Sequence, residues 1–251
     1  MKLLVVCSSL DLRHPYSSTP AWWQLLKNLC ESGVDLIATP YQGYAIESPW
    51  WRAYDNPCQL EGDLFASARR LTRRLRRHRP EVERTTEGGE SVADKVLRGL
   101  GQTFIRPRWQ RHLSTILETD QSVDAILTLN VPPNHFKGLP TYLQRRYGVP
   151  TIHYDGDVPA SLPRFQGFAS GFRHYHGADL TEYQGLISSS KGGAEELLQL
   201  GARDVKVLYY GVDPRWFAEM SLEQDIDVFF YGHGYESVSY THLRAHETKA
   251  N

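Results

Sequence analysis

The 251-residue sequence has few cysteines, no long hydrophobic run and almost no net charge. Its three cysteines (Cys7, Cys30 and Cys58) show no CxxC or Cys/His spacing, which argues against a zinc site or a disulfide framework and favours a reducing compartment. No window approaches the roughly 20 apolar residues of a membrane span. Because 28 Lys and Arg residues nearly balance 29 Asp and Glu residues, the overall charge predicts no nucleic-acid partner.

The amino terminus also lacks the features of a secretory signal. Its apolar stretch, Leu3 to Cys7, is shorter than the roughly 7 to 15 residues of a signal core, and Asp11 and Arg13 follow it at once. We therefore interpret this stretch as a first β-strand and expect a cytoplasmic protein.

What the sequence does contain is an alternation of apolar strands with amphipathic helices. Continuous apolar strands are typical of a parallel sheet that helices cover on both faces. Six strands are predicted, at "LLVVC" (3–7), "VDLIATP" (34–40), "DAILTLN" (124–130), "PTIHYD" (150–155), "GLISSS" (185–190) and "VKVLYYG" (205–211). Helices are predicted at 21–33, 136–148 and 191–201, with two or three more between 60 and 121 that break near "EGGE" and "IRP". The predicted fold is an α/β, Rossmann-like, mostly parallel sheet flanked by helices.

One compositional shift stands out, the arginine-rich segment "ARRLTRRLRRHRP" (68–80). Leu71 and Leu75 lie one helical turn apart in it, so it predicts a basic amphipathic helix. Such a helix either contacts anionic lipid, which gives peripheral membrane contact, or is a solvated face balanced by the acidic segment "EVERTTEGGE" that follows.

The loops after the strands are the places to look for a site, because ligands of an open parallel sheet bind at the carboxyl ends of its strands. The first loop, "SSLDLRHPY", offers Ser8, Ser9 and His14. Glycines, prolines and aromatics are also frequent in these loops. Their Trp and Tyr rings either pack against the C–H face of a sugar or lie under the loops as packing.

The segment "HYDGDVP" is the sharpest local pattern, since Asp155 and Asp157 flank Gly156 at the end of a buried strand. A carboxylate there can act as a general base or orient a hydroxyl group. Two carboxylates also suit a metal ion. The alternative is ordinary turn chemistry, in which the first Asp closes an Asx turn.

The segment "ISSSKGGAEEL" leads from a strand into a helix. Ser189, Ser190 and the first-turn N–H groups of the helix, with Lys191 nearby, are suited to hold an anion. The alternative is a serine N-cap, the common start of a helix. The phosphate-loop pattern GxxxxGK[ST] is missing, so this is no P-loop.

Four segments together resemble the CgeB-type, spore-maturation-related branch of the family 1/4 glycosyltransferases, which have the GT-B fold of two facing Rossmann-like domains. They are "HYDGDVPASLPRFQGFASGF", "ISSSKGGAEELLQLGA", "VLYYGVDP" and "DIDVFFYGHG", and the resemblance covers roughly 124–234. It implies transfer of a glycosyl group from a nucleotide-sugar donor to an acceptor hydroxyl, without a cofactor or a bound metal.

The resemblance also implies roles for single residues. Asp155 is expected to be the catalytic base or to orient the acceptor. The expected substrate-binding residues are Ser8, Ser9, His14, Asp157, Ser190 and Lys191, and the residues expected at the donor diphosphate are Gly232, His233 and Gly234.

The same resemblance divides the chain into three parts. We expect an acceptor-side domain at 1–215, a linker and the first strand of a donor-binding domain at 216–236, and a non-native tail at 237–251, where "SVSYTHLRAHETKAN" resembles translated sequencing adapter. The expected protein is thus an inactive fragment of a glycosyltransferase. Two alternatives are a stand-alone Rossmann-like binding module without catalysis, and a membrane- or nucleic-acid-surface protein that uses the arginine-rich helix.

Overall fold

This computed structural model describes residues 1–10, 19–59, 98–158, 162, 174–211 and 213–215, with the backbone alone at 19–21. The described strands are β1 (Lys2–Ser9), β2 (Asp35–Gln42), β3 (Arg52–Ala53), β4 (Ala125–Leu129), β5 (Thr151–Asp155), β6 (Gly185–Ser188) and β7 (Val205–Val207). The described α-helices of eight residues or more are α1 (Thr19–Glu31), α2 (Arg106–Thr119), α3 (Leu139–Tyr147) and α4 (Lys191–Gln199). The arginine-rich segment, His14 and 216–251 lie outside the described residues.

The seven strands form one parallel sheet in the order β3-β2-β1-β4-β5-β6-β7. The chain first moves from β1 outward to β3 and then resumes on the other side of β1 with β4. That reversal is the topological switch point of a doubly wound fold. The predicted α/β class, a Rossmann-like parallel sheet flanked by helices, is confirmed.

Helices cover both faces of the sheet, because alternate residues of a strand point to opposite faces. From β1, Leu4 and Val6 pack with Trp109 of α2 in one core. Val5 and Cys7 pack with Trp22 of α1 in the other. The continuous apolar runs of the sequence reflect this burial on two sides.

Several predicted boundaries were wrong. The chain stays helical through "IRP", because a π-helix at Gly101–Ile105 passes directly into α2 and Pro107 lies in the first turn of α2. A strand of two residues, β3, is too short to produce an apolar run and was missed. β6 and β7 end earlier than predicted, and α3 begins only after Gly138, whose φ of 80° interrupts the helix.

No helix among the described residues is long and apolar enough to cross a bilayer.

Candidate functional site

The strand register brings several polar segments to one edge of the sheet. Cys7 pairs with Leu129, Leu129 pairs with Tyr154, and Asp155 pairs with Ser188. The residues that follow β1, β4, β5 and β6 therefore lie side by side at the carboxyl edge. This edge includes the switch point between β1 and β4, where a doubly wound sheet opens a crevice.

Asn130, the residue that follows β4, links the neighbouring segments. Its amide Oδ1 accepts a hydrogen bond from the backbone N–H of Gly156 at 2.7 Å, and its Nδ2 donates to Asp157 Oδ2 at 3.1 Å. Its own N–H donates to the carbonyl of Tyr154 at 2.8 Å. Among the described residues it is the one non-glycine with a positive φ, 50°. A strained conformation held by three hydrogen bonds is typical of functional sites.

Asp155 lies at the floor of this edge, 2% exposed. Its Oδ1 accepts from the N–H of Asp157 at 2.8 Å, which is an Asx turn, and its Oδ2 accepts from the hydroxyl of Tyr175 at 2.6 Å. One carboxylate oxygen thus holds the turn, and the other binds Tyr175. The exposed carboxylate of this pair is that of Asp157.

The serines after β6 bind the same turn and start the next helix. Ser189 Oγ donates to the carbonyl of Gly156 at 3.0 Å. Ser190 is the N-cap of α4, since its Oγ accepts from the N–H of Gly193 at 3.0 Å. Lys191 is exposed at the first position of α4. Ser189 is thereby the serine that joins the β5 turn to the β6 loop.

Aromatic side chains border Gly156. A Cβ added at this glycine would collide with the phenol of Tyr210 and lie 3.5 Å from Trp22 Cη2. Only a residue without a side chain permits this close approach. Desolvation of the phenol beside Gly156, with a smaller effect of the nearby Asp157, raises the pKa of Tyr210 to about 12. Its hydroxyl therefore stays protonated at neutral pH, although the residue as a whole is 59% exposed.

Two histidines lie in the core close to this edge. His153 on β5 is 1% exposed and its Nδ1 lies 2.8 Å from Thr128 Oγ1. His135, in the 3-10 helix Pro133–Phe136, shares a short hydrogen bond with the hydroxyl of Tyr41 at the end of β2. Burial lowers the pKa of each imidazole to about 4, so both are neutral at physiological pH.

The structure brings together only some of the predicted site residues. Asp155 and Asp157 share the β5 turn, while Ser8 and Ser9 close β1 at the same edge of the sheet. The predicted residues His14, Gly232, His233 and Gly234 lie outside the described residues. No group of three His, Cys, Asp or Glu side chains within the described part of the chain is arranged to hold a metal ion.

Asn130, Tyr175 and Tyr210 were not predicted as site residues. The sequence could have indicated Asn130, because asparagine tolerates a positive φ and this one stands at the end of a buried strand. The two tyrosines reach the turn from 20 or more positions away in the sequence, so no local pattern marks them.

No protein-family model matches the sequence, and no curated protein matches it significantly. Among solved structures, the chain is similar to a glycosyltransferase from Rickettsia africae ESF-5, with 11% identity and a TM-score of 0.40 over 86% of this chain and 45% of that one. It is also similar to a structure described as "Trehalose-6-phosphate from E. coli bound with UDP-2-fluoro glucose", with 12% identity and a TM-score of 0.44 over 87% and 50%. The chain thus spans about half the length of these two proteins. Neither similarity is close enough to assign a family or an activity.

Proposed function

We propose that this chain is the acceptor-side half of a glycosyltransferase and binds a polyhydroxylated acceptor at the carboxyl edge of its sheet. The observation that carries the proposal is the network of Asn130, the Gly156–Asp157 turn and Ser189, which joins the ends of three adjacent strands. Carboxylate, amide and hydroxyl groups are the partners that vicinal sugar hydroxyls need. The resemblance of "HYDGDVP" and its following segments to glycosyltransferases supports the same reading.

In this proposal Asp157 contacts the acceptor. Its carboxylate is exposed, and the amide of Asn130 holds one of its oxygens in place at 3.1 Å. A carboxylate fixed in this way accepts hydrogen bonds from hydroxyl groups without first losing its own conformational freedom. Tyr210, which borders Gly156 and is 59% exposed, supplies apolar surface for the C–H face of a sugar.

Asp155, which is only 2% exposed, is the proposed catalytic base. Asp155 is the residue that the sequence resemblance implies, and its oxygens are engaged by the Asp157 N–H and the Tyr175 hydroxyl. A base must reach the acceptor hydroxyl directly or through one water. We assign the orienting role to Asp157 and leave the base role of Asp155 to the kinetic experiment below.

The donor would be a nucleotide sugar, held by a second domain. In the sequence resemblance, Gly232, His233 and Gly234 begin that domain, and we propose that they approach the donor diphosphate. A leaving diphosphate needs positive charge or helix N-termini that one glycine loop does not supply. We therefore expect the chain alone to show neither turnover nor measurable binding of nucleotide sugars.

Acceptor binding is tested by saturation-transfer NMR of the chain with a panel of mono- and disaccharides and, separately, nucleotide sugars. We expect saccharide signals that weaken at least about fivefold in Asp157→Asn, because a fixed charged acceptor of hydrogen bonds is lost. Asp204→Asn is the matched control, since Asp204 is an exposed carboxylate at the opposite edge of the sheet, before β7. Equal signals for both variants, or no saccharide signal with the unmodified chain, would contradict the proposal.

Catalysis is tested after a homologous donor-side domain has been joined to the chain. If Asp155 is the base, Asp155→Asn lowers kcat by about two orders of magnitude and leaves the donor KM nearly unchanged. If Asp157 only orients the acceptor, Asp157→Asn raises the acceptor KM more than it lowers kcat. Near-full kcat in Asp155→Asn would remove Asp155 from the chemistry and leave it as the residue that holds the turn.

A further inference from the structure

The segment that leads into α2 exposes two large apolar side chains. Leu100 is 39% exposed and Phe104 is 57% exposed, four positions apart and thus on one side of a helical segment. Exposed apolar side chains that adjoin each other mark an interaction surface more often than single ones do.

The exposure of Phe104 follows from how the π-helix Gly101–Ile105 is held. Gly101 is buried against His135, where a Cβ would lie 3.1 Å from the imidazole Cδ2. Gln102 Nε2 donates to the carbonyl of Asn134 at 3.0 Å. These two contacts fix the inner side of the segment on the 3-10 helix after β4, and Phe104 is left on the outer side.

The sequence around this apolar pair carries charge of one sign. Between 98 and 117 the sequence contains four arginines (Arg98, Arg106, Arg108 and Arg111) and no acidic residue, although the whole chain has a net charge of −1. Arg111 is exposed on α2, seven positions after Phe104, and therefore lies on the same side of the helix. An apolar pair beside a basic helix face complements a surface that is anionic outside and apolar beneath.

We infer that Leu100, Phe104 and the exposed Arg111 of α2 form a docking surface for an anionic lipid bilayer. Phe104 and Leu100 would enter the boundary between headgroups and acyl chains, while the Arg111 guanidinium binds lipid phosphate. The surface lies at the carboxyl edge of the sheet, because the π-helix packs on the 3-10 helix that follows β4. Docking would thus bring the candidate site close to the membrane plane. The inference does not depend on the proposed glycosyl transfer.

The test is co-sedimentation of the chain with vesicles of phosphatidylcholine alone or mixed with phosphatidylglycerol. We expect binding to the mixed vesicles only. Phe104→Ser should lower the partition coefficient about tenfold, and Arg111→Glu should lower it about fivefold or more. Matched controls outside this segment, on and after β7, are Tyr209→Ser, since Tyr209 is 60% exposed, and Lys206→Glu. Both controls should bind like the unmodified chain.

The results of this test distinguish this surface from the arginine-rich segment as the site of membrane binding. If the arginine-rich segment 68–80 alone carries membrane binding, Phe104→Ser and Arg111→Glu bind as well as the unmodified chain, and the inference is overturned. Equal binding to neutral vesicles, no vesicle binding at all, or equal loss in Tyr209→Ser overturns it as well. Circular dichroism of each variant establishes that the fold is retained, which is expected because all four side chains are exposed.

Discussion

The two edges of the same sheet carry charged groups in different ways. At the amino edge, Lys2 Nζ contacts Asp35 at 2.9 Å and Asp120 at 2.8 Å, and Arg52 contacts the same Asp120 oxygen at 2.6 Å. At the carboxyl edge, Asp155 is held by a backbone N–H and a phenol, and Asp157 by the amide of Asn130.

This difference separates a structural cluster from a candidate site. Opposite charges cancel at the amino edge, and the hydrogen bonds of Lys2 hold the pKa of Asp120 well below its usual range. At the carboxyl edge the chain accepts a strained residue, Asn130 with a φ of 50°, to fix a polar turn. Strain retained at a surface turn is typical of a site that serves a ligand, whereas cancelled charge is typical of stability.

The largest expected effect is that acid destabilises the fold through two histidines near the carboxyl edge. His135 and His153 have pKa values lowered by burial from 6.5 to about 4, so the unfolded chain binds more protons between these two pH values. Their contribution to stability is complete above about pH 6.5 and is lost as the pH falls towards about 4, by about 3 kcal/mol for each histidine. Urea unfolding across this pH range measures the loss.

Four variants test this prediction. His153→Gln and His135→Asn should each flatten the pH dependence. Lys2→Met should leave the slope nearly unchanged, because the hydrogen bonds of Ser122 and Arg52 still lower the pKa of Asp120 and keep it ionised in most of this window. His112→Gln should flatten it less, since His112 is only half-buried. A slope that all these variants leave intact would mean that other groups cause the acid sensitivity.

The second prediction concerns Asn130, the residue with a positive φ at the carboxyl edge. Asn130→Ala removes both amide hydrogen bonds and keeps a side chain at positive φ, so the free energy of unfolding should fall by about 2 to 3 kcal/mol. Asn130→Gly loses the same hydrogen bonds but relieves the backbone strain, so it should be less damaging by about 1 kcal/mol. Chemical denaturation of both variants tests this. Equal losses would show that the conformation carries no strain.

The third effect concerns two neighbouring glycines at the start of α4. A Cβ on Gly193 would lie 2.6 Å from Ser188 Oγ and 2.8 Å from Ser190 Oγ, and would also collide with Val158. Gly193→Ala should therefore cost about 2 kcal/mol, although alanine favours helices. Gly192→Ala meets no atom within 4 Å and should stabilise the protein by up to about 0.5 kcal/mol. Thermal unfolding of the two variants tests both expectations. A stabilising Gly193→Ala would mean that the loop after β6 shifts to accept the added methyl group at little cost in free energy.

The fold was largely predictable because a strand that is buried on both faces has a mainly apolar sequence. The runs at β1, β2 and β4 are mainly apolar, and the predicted strands at β1, β2, β4 and β5 match the observed ones within two residues. The wrong predictions of element boundaries have local causes. β3 has two residues and cannot show a period, and Pro107 suggested a break where the chain instead changes from π to α winding.

The site was predictable only in part. Asp155 and Asp157 stand together in the sequence and again in the structure. Their partners come from elsewhere, since Asn130 follows β4 and Tyr175 lies 20 positions after Asp155. Which carboxylate is buried depends on those tertiary hydrogen bonds, and a local pattern such as Asp-Gly-Asp does not contain that information.

The smallest expected effect is at the amino edge itself. Asp35 is exposed, with 62% of its side chain accessible, and its pair with Lys2 is one of several contacts around that lysine. Exposed ion pairs contribute little and are screened by salt, so Asp35→Asn should lower the melting temperature by about 2 °C or less, and by still less in high salt. Lys2→Met should have a somewhat larger effect, because it leaves Asp120 with Arg52 as its remaining ion-pair partner among the described residues. Calorimetry at low and high ionic strength measures both. An equal loss of stability in Asp35→Asn and in Asn130→Ala would contradict the distinction between the two edges. An exposed ion pair would then stabilise the protein as much as the hydrogen-bonded turn at Asn130 does.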